Sequence, residues 1–265
     1  MVAGYNIMLS GVGGQGLMLL STIIGNACNK LGMKVITGEQ HGLSQRSGSI
    51  YVHLRIGERV HSPLIPYGSA DIIISMEATE VLRYIEFLKD DGIIIMNKRI
   101  MHPSLVTGDI AKHRDKNRTY ITLEQILTQL EQVTRNIIVL DATKLAELAG
   151  NPRTENTVLS GAASALQEFP IDKDVLKETI KDLVPSKTIE ENLTAFDMGY
   201  EEAKKIIASL WVHFFRTIAE YEKERESIDQ MIKLKNKEKE RDSIVKWLNL
   251  KTKINSMISF KIKRS

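Results

Sequence analysis

The sequence has a single cysteine, Cys28, among 265 residues. One thiol excludes an intramolecular disulfide, a cysteine-rich zinc site and a cysteine-held iron–sulfur cluster, each of which needs several thiolates. No run of about 18 or more apolar residues exists, so no membrane-spanning helix is expected. Met1–Ile7 lacks a basic region followed by a long apolar stretch, which predicts no signal peptide and a cytoplasmic protein. The net charge is only +3 and singles out no class of partner. No internal repeat is visible, no Walker-type lysine follows the one glycine-rich loop, and no Ser–His–Asp set suggests a hydrolase.

What is present is an ordinary globular composition, 43% hydrophobic and 26% charged, in a chain long enough for one or two domains. The charge is unevenly spread. From Arg216 to Ser265 there are 14 Lys/Arg against 8 Asp/Glu, which leaves the preceding body mildly acidic. That last segment contains no glycine or proline, and it carries Trp247, Leu248, Leu250, Ile254, Met257, Ile258 and Phe260 near its end. A charged helix followed by a basic amphipathic helix is expected there, serving as a solvated extension or as a surface for a partner subunit.

The first 150 residues alternate strand and helix. Tyr5–Leu9, Lys34–Thr37, Asp71–Ser75, Gly92–Met96 and Asn136–Leu140 read as short strands, the later ones rich in β-branched residues as buried strands are. Leu17–Leu31 and Glu80–Leu88 read as helices, and Thr122-Leu123-Glu124-Gln125 has the spacing of a capping box. The alternation of Ser49–Arg55, followed by Gly57-Glu58 and Arg59-Val60-His61, predicts a hairpin with His53 and His61 facing solvent. Such an order implies an α/β fold with a doubly wound, mostly parallel, Rossmann-like sheet over about residues 1–150. Helices follow at Lys144–Gly150, Glu155–Gln167, Lys173–Leu183 and Glu190–Phe214. The expected organisation is thus a domain over 1–214 and a basic helical extension over 215–265.

Gly11-Val12-Gly13-Gly14-Gln15-Gly16 follows the first strand and opens the first helix. Glycines there allow a sharp turn and a close approach to a phosphate, and the helix start offers free N–H groups and a partial positive charge. The spacing meets the dinucleotide pattern G-x-G-x-x-G, and Glu39 lies 23 residues beyond Gly16, where an acid could hold a ribose hydroxyl. Glu39 also opens a polar stretch running to Gly48. As a loop meeting the glycine turn, that stretch would bring His41 and Arg46 as donors for phosphate or carboxylate and Gln45 as an orienting amide. Cys28 reads as a small core residue of the first helix, and Glu77 as a carboxylate at the sheet end without an identified partner. A stand-alone nucleotide-dependent oxidoreductase and a purely structural assembly subunit both remain open on these residues.

Gly11-Val12-Gly13-Gly14-Gln15-Gly16, Glu39-x-His41-Gly42-x-x-Gln45-Arg46-x-Gly48-Ser49, Ser62-Pro63-Leu64-Ile65-Pro66 and Ala70-Asp71 occur in order. Asn156, Leu159-x-Gly161-Ala162, Glu191-Asn192 and Ala195-Phe196-x-x-Gly199 follow. Together they resemble the beta subunits of indolepyruvate ferredoxin oxidoreductases, the gamma-type domain of the 2-oxoacid:ferredoxin oxidoreductases, over about residues 5–205. The segment His41–Arg46 matches the indolepyruvate branch. The resemblance implies an enzyme subunit, inactive alone, in a complex that turns aryl pyruvates and coenzyme A into aryl-acetyl-CoA, carbon dioxide and reduced ferredoxin. It implies an alpha subunit as partner, holding thiamine diphosphate, magnesium and [4Fe–4S] clusters, and ferredoxin reached through the complex. Neither nucleic acid nor a membrane is implied. No catalytic or metal-binding residue is expected on this chain alone. The expected site is a phosphate, coenzyme A or partner-facing loop of Gly11, Gly13, Gly14, Gln15, Gly16, His41, Gln45, Arg46 and Gly48.

Overall fold

A computed structural model describes residues 4–41, 48–101, 120–234, 247–248 and 250–252. The described residues form one six-stranded sheet in the order β2-β3-β1-β4-β5-β6. The strands are β1 (Tyr5–Val12), β2 (Val35–His41), β3 (Ser49–Ile56), β4 (Ala70–Ser75), β5 (Leu88–Asn97) and β6 (Ile137–Leu140). Only β3 runs against its neighbours β1 and β2; the pairs β1–β4, β4–β5 and β5–β6 are parallel. The helices are α1 (Leu17–Lys30), α2 (Ala78–Tyr84), α3 (Leu123–Leu130), α4 (Ala142–Leu148), α5 (Glu155–Ser164), α6 (Lys173–Leu183) and α7 (Ile189–Leu234).

Period-two alternation sends successive strand residues to opposite faces, and here both faces are covered. Met8, Ile73, Ile94 and Met96 pack beneath Val81 and Tyr84 of α2 and Ile126 and Leu130 of α3. Their neighbours Ile7, Leu9, Ile72, Ile74, Ile93 and Ile95 are buried on the other face, where α1 packs on β1 to β3 and α5 on β5. Burying each such side chain is worth about 2 kcal/mol, which explains why these strands read as unbroken apolar runs. The doubly wound sheet expected from the sequence is therefore present. The Thr122 capping box is also complete, with the Thr122 hydroxyl and the Gln125 side chain each bonded to the other's backbone N–H.

Two expectations need correction. Residues 59–61 are not a strand: β3 forms its hairpin with β2, across Gly42–Ser47, and β2 runs on through Glu39 to His41. After Gly57, at φ 145°, the chain turns away, and Gly38 lies so close to Pro63 that a Cβ on it would come within 2.8 Å of the proline ring. Arg55 holds this Ser62–Pro66 strap by donating to the carbonyls of Ser62 and Leu64 at 3.2 and 3.1 Å. The strap covers the face of β3 that carries His53. Consequently His53 is not solvent-facing but 2% exposed. Its Nδ1 accepts the Ile65 amide at 3.3 Å, and its ring packs edge-on against Tyr51 and Phe87. Burial, with the nearby Arg55 charge, holds its pKa below the ordinary histidine value. His61 is exposed as expected.

Cys28 is fully buried on α1, and burial pushes its thiol up to about 12. The thiolate is the reactive form. Native protein at pH 8 is therefore expected to leave a thiol-reactive disulfide reagent unconsumed, while unfolded protein consumes one equivalent; rapid labelling of the native chain would contradict this.

By its internal contacts the chain divides into two compact units, 1–204 and 205–265. In the second unit α7 continues to Leu234, and Trp247, Leu248 and Leu250–Thr252 are helical, with the Lys251 ammonium 4.6 Å over the Trp247 ring. The rest of the expected basic amphipathic helix lies outside the described residues. No described helix is long and apolar enough to cross a membrane.

Candidate functional site

Strands β1, β4, β5 and β6 all end at one edge of the sheet, because they are parallel. From β1 the chain leaves by α1, on one face; from β4 it leaves by α2, on the other. The edge between β1 and β4 is thus a switch point, where open α/β sheets bind their ligands. It is lined by Gly13–Gly16, Met76–Glu77, Lys98–Met101 and, from α5, Asn156.

The glycine turn is built by its own residues. Gly14 and Gly16 stand at φ 96° and 79°, a region that L side chains rarely adopt. Gln15 folds back rather than outward: its Oε1 accepts the Val12 N–H at 2.7 Å, and its Nε2 approaches the Met76 carbonyl at 3.4 Å and the Met101 sulfur at 3.5 Å. A Cβ on Gly11 would lie 2.9 Å from that Oε1 and 3.0 Å from Met76, so glycine there makes room for the Gln15 bridge. Asn156 closes the far side, with Nδ2 on the Gly16 carbonyl at 3.2 Å. Ser10 and Ser75 tie the ends of β1 and β4 by a buried hydroxyl bond of 2.8 Å.

The helix starts at this edge differ. At α2 the Glu77 carboxylate accepts the Glu80 N–H at 2.9 Å and the Met101 N–H at 2.8 Å, with Thr79 also donating to it. The Ala78 N–H is taken by the Arg99 carbonyl. At α4, Asp141 caps the Lys144 N–H at 3.2 Å. α1 has no such cap: Gly16 offers no side chain, and the first turn holds no acid. Its first intrahelical bond is from Leu20 to Gly16, so the preceding amides have no partner within the helix. Gly14 beside them is exposed. Oriented amides and the helix dipole make this edge receptive to an anion.

Of the residues expected to form the site, Gly11, Gly13, Gly14, Gln15 and Gly16 form the turn. Gly48 joins them, its carbonyl accepting the Gly13 N–H at 3.0 Å. His41 ends β2; its side chain, and all of Gln45 and Arg46, lie outside the described residues. Glu39 sits on β2, two strands from β1. Strands are about 4.8 Å apart, so inserting β3 moves Glu39 roughly 5 Å beyond where a ribose-binding acid stands in a dinucleotide fold. Glu77 proves to be a buried cap. Sequence reasoning missed Asn156, Met101, Glu80 and Tyr84 as members of this edge, because nothing local marks contacts across 30 or more positions.

An uncapped helix behind a glycine turn, at the switch point of a doubly wound sheet, defines an α/β domain whose first helix begins without a side-chain cap. Residues 6–202 match the family described as pyruvate ferredoxin/flavodoxin oxidoreductase, and the chain belongs to that family. An indolepyruvate oxidoreductase subunit IorB from Thermococcus kodakarensis is 41% identical over 204 residues, covering 77% of this chain and 98% of that protein. The subunit of the same name from Archaeoglobus fulgidus is 39% identical over 198 residues, 75% of this chain and 94% of that one. Among solved structures, the pyruvate oxidoreductase subunit PORC of Thermotoga maritima shares the fold, with a TM-score of 0.54 at 21% identity over 76% of this chain and 97% of its own. The family match ends within two residues of the boundary between the compact units.

Proposed function

We propose that this chain is the cofactor-free subunit of an indolepyruvate:ferredoxin oxidoreductase. The complex takes an aryl pyruvate and coenzyme A to aryl-acetyl-CoA and carbon dioxide, and passes the electron pair to ferredoxin. What carries the reading is the 41% identity to an indolepyruvate oxidoreductase subunit along nearly that protein's whole length. Thiamine diphosphate, magnesium and [4Fe–4S] clusters on an alpha subunit supply the decarboxylation and electron transfer. The donors of this chain do not fit a cluster, since its one thiol is buried and held protonated.

The donors do fit an anion. In this reading the amides of Gly14 and of the start of α1 receive a coenzyme A phosphate at the partner's active site, with His41, Gln45 and Arg46 supplying further donors from the adjoining segment. Support comes from the contrast at the sheet edge, where α2 and α4 are capped by their own carboxylates and α1 is open. The chain works in the cytoplasm, with the alpha subunit as its direct partner and ferredoxin reached through the complex.

Co-expression with the neighbouring thiamine-dependent subunit tests the assembly. The tagged chain is expected to bring down a brown partner with the broad visible absorption of iron–sulfur clusters. A colourless lone protein that binds NAD(P)H or flavin would contradict it. The insertion of β3 between β1 and the Glu39 strand argues against that outcome.

A further inference from the structure

β3 enters the sheet beside the glycine turn, since Ser49 pairs with Val12 in register and the Gly48 carbonyl receives the Gly13 N–H. The Ser49 side chain does not point to solvent. Its hydroxyl donates to Oε2 of Glu80 on α2 and lies 2.5 Å from the Tyr84 hydroxyl. A serine has one proton to give. With that proton on Glu80, the contact with Tyr84 is a bond in which the tyrosine donates. Burial, the largest influence on Tyr84, raises its phenol above the ordinary value and keeps it a donor. Glu80 and Tyr84 are 5% and 8% exposed and one helical turn apart, so they meet Ser49 as a pair. The Glu80 carboxylate is completed by Arg83 at 3.3 Å, and the Tyr84 ring is packed 4.5 Å from that of Tyr51. The Glu80 backbone is fixed in turn by Glu77, the carboxylate that also binds the Met101 amide.

We propose that Ser49, Glu80 and Tyr84 form a positioning clamp that locks the entry of β3 to α2, and through Gly48 and Gly13 sets the aim of the glycine-turn amides. The clamp rests on the reading above for its ligand, the phosphate of coenzyme A. None of its members touches that ligand. Their effect is to keep the Gly48 carbonyl where it holds Gly13, so that the adjoining amides are ordered before the anion arrives. Preorganisation of this kind acts on affinity through bond geometry and rigidity.

Two readouts test it separately. The first is amide hydrogen exchange of the full chain, which needs no partner. Ser49→Ala is expected to speed exchange at Gly13 about tenfold as the local opening becomes easier, while Ser49→Thr, which keeps the hydroxyl, restores protection. Unchanged exchange at Gly13 in Ser49→Ala overturns the clamp, whatever happens to overall stability. The second readout is the assembled complex. Ser49→Ala is expected to raise the apparent KM for coenzyme A about fivefold, the equivalent of roughly 1 kcal/mol of hydrogen bonding, with kcat little changed. Adding Glu80→Gln to Ser49→Ala is expected to raise KM no further, as for groups acting through one another. Faster exchange with an unchanged KM would overturn the positioning role. Should Gly14→Asp and Gly14→Asn also show equal KM values, the phosphate reading falls, and Gly13 exchange then decides the clamp alone.

Discussion

Gly161→Ala and Gly199→Ala are each expected to lower the melting temperature of the full chain by roughly 10 °C. The two glycines sit where α5 crosses α7. A Cβ on Gly161 would lie 2.0 Å from the Phe196 carbonyl oxygen, and a Cβ on Gly199 would lie 2.0 Å from that of Val158. Each helix thus uses its glycine to admit the other's backbone. No rotamer relieves a clash between a Cβ and a carbonyl oxygen, so the helices must move apart. That would disturb Phe196, Ala195, Val158 and Ala162, all fully buried, and the bond from Thr157 to Asn192 at 2.8 Å. Forced overpacking of a core costs about 1–3 kcal/mol, and the backbone contact puts these variants at or above the top of that range. In a domain of this size each kcal/mol moves the midpoint by about 2–4 °C. Gly25→Ala is the control. Gly25 lies within α1 with no atom near its would-be Cβ, so alanine there is expected to be neutral or to stabilise by about 0.5–1 kcal/mol. Equal effects at all three glycines would show that the crossing is not tight.

Gly14→Asp is expected to raise the apparent KM for coenzyme A at least about tenfold over Gly14→Asn in the assembled complex. Gly14 is exposed at φ 96°, with open space around its would-be Cβ. Aspartate and asparagine have the same size, and both are among the residues best tolerated at positive φ. They therefore share whatever backbone strain the position imposes and differ in charge. A carboxylate within a few ångströms of a bound phosphate costs about 1.5 kcal/mol in a partly solvated site, equivalent to about tenfold in affinity. Equal KM values for the two variants would mean that no anion sits at the turn. Arg46→Ala, which removes a cation two positions before Gly48, the residue whose carbonyl holds Gly13, is expected to act in the same direction as the aspartate.

Much of this architecture is legible in the chain itself, for definite reasons. The parallel strands are buried on both faces, so Ile72–Ile74 and Ile93–Ile95 appear as continuous apolar runs. Thr122 with Gln125, and Asp172 ahead of Lys173–Leu183, mark helix starts through contacts three or fewer positions apart. What was not legible depends on distant neighbours. The alternation of Ser49–Arg55 describes a strand with one wet face, yet the Ser62–Pro66 strap and Phe87 dry the face that carries His53. β5 begins at Leu88 rather than Gly92, because the charged run Lys89-Asp90-Asp91 enters the sheet through an irregular register, with Asp91 at φ 60°. At the site, the glycine spacing announces the turn. By contrast, the inward fold of Gln15 follows from its bond to Val12, and the Ser49 clamp joins residues 31 and 35 positions apart. Gly161 and Gly199 stand in recognisable motifs, but only the helix crossing explains why neither admits a side chain.

The most direct test of the account is an omission assay. The thiamine-dependent partner is prepared alone and with this chain, and methyl viologen reduction is followed with indolepyruvate, with and without coenzyme A. The account predicts rapid reduction only when both subunits and both substrates are present, and little or none when this chain is left out. Full activity of the partner alone, or a complex that reduces viologen with pyruvate or 2-oxoglutarate but not with indolepyruvate, would contradict it.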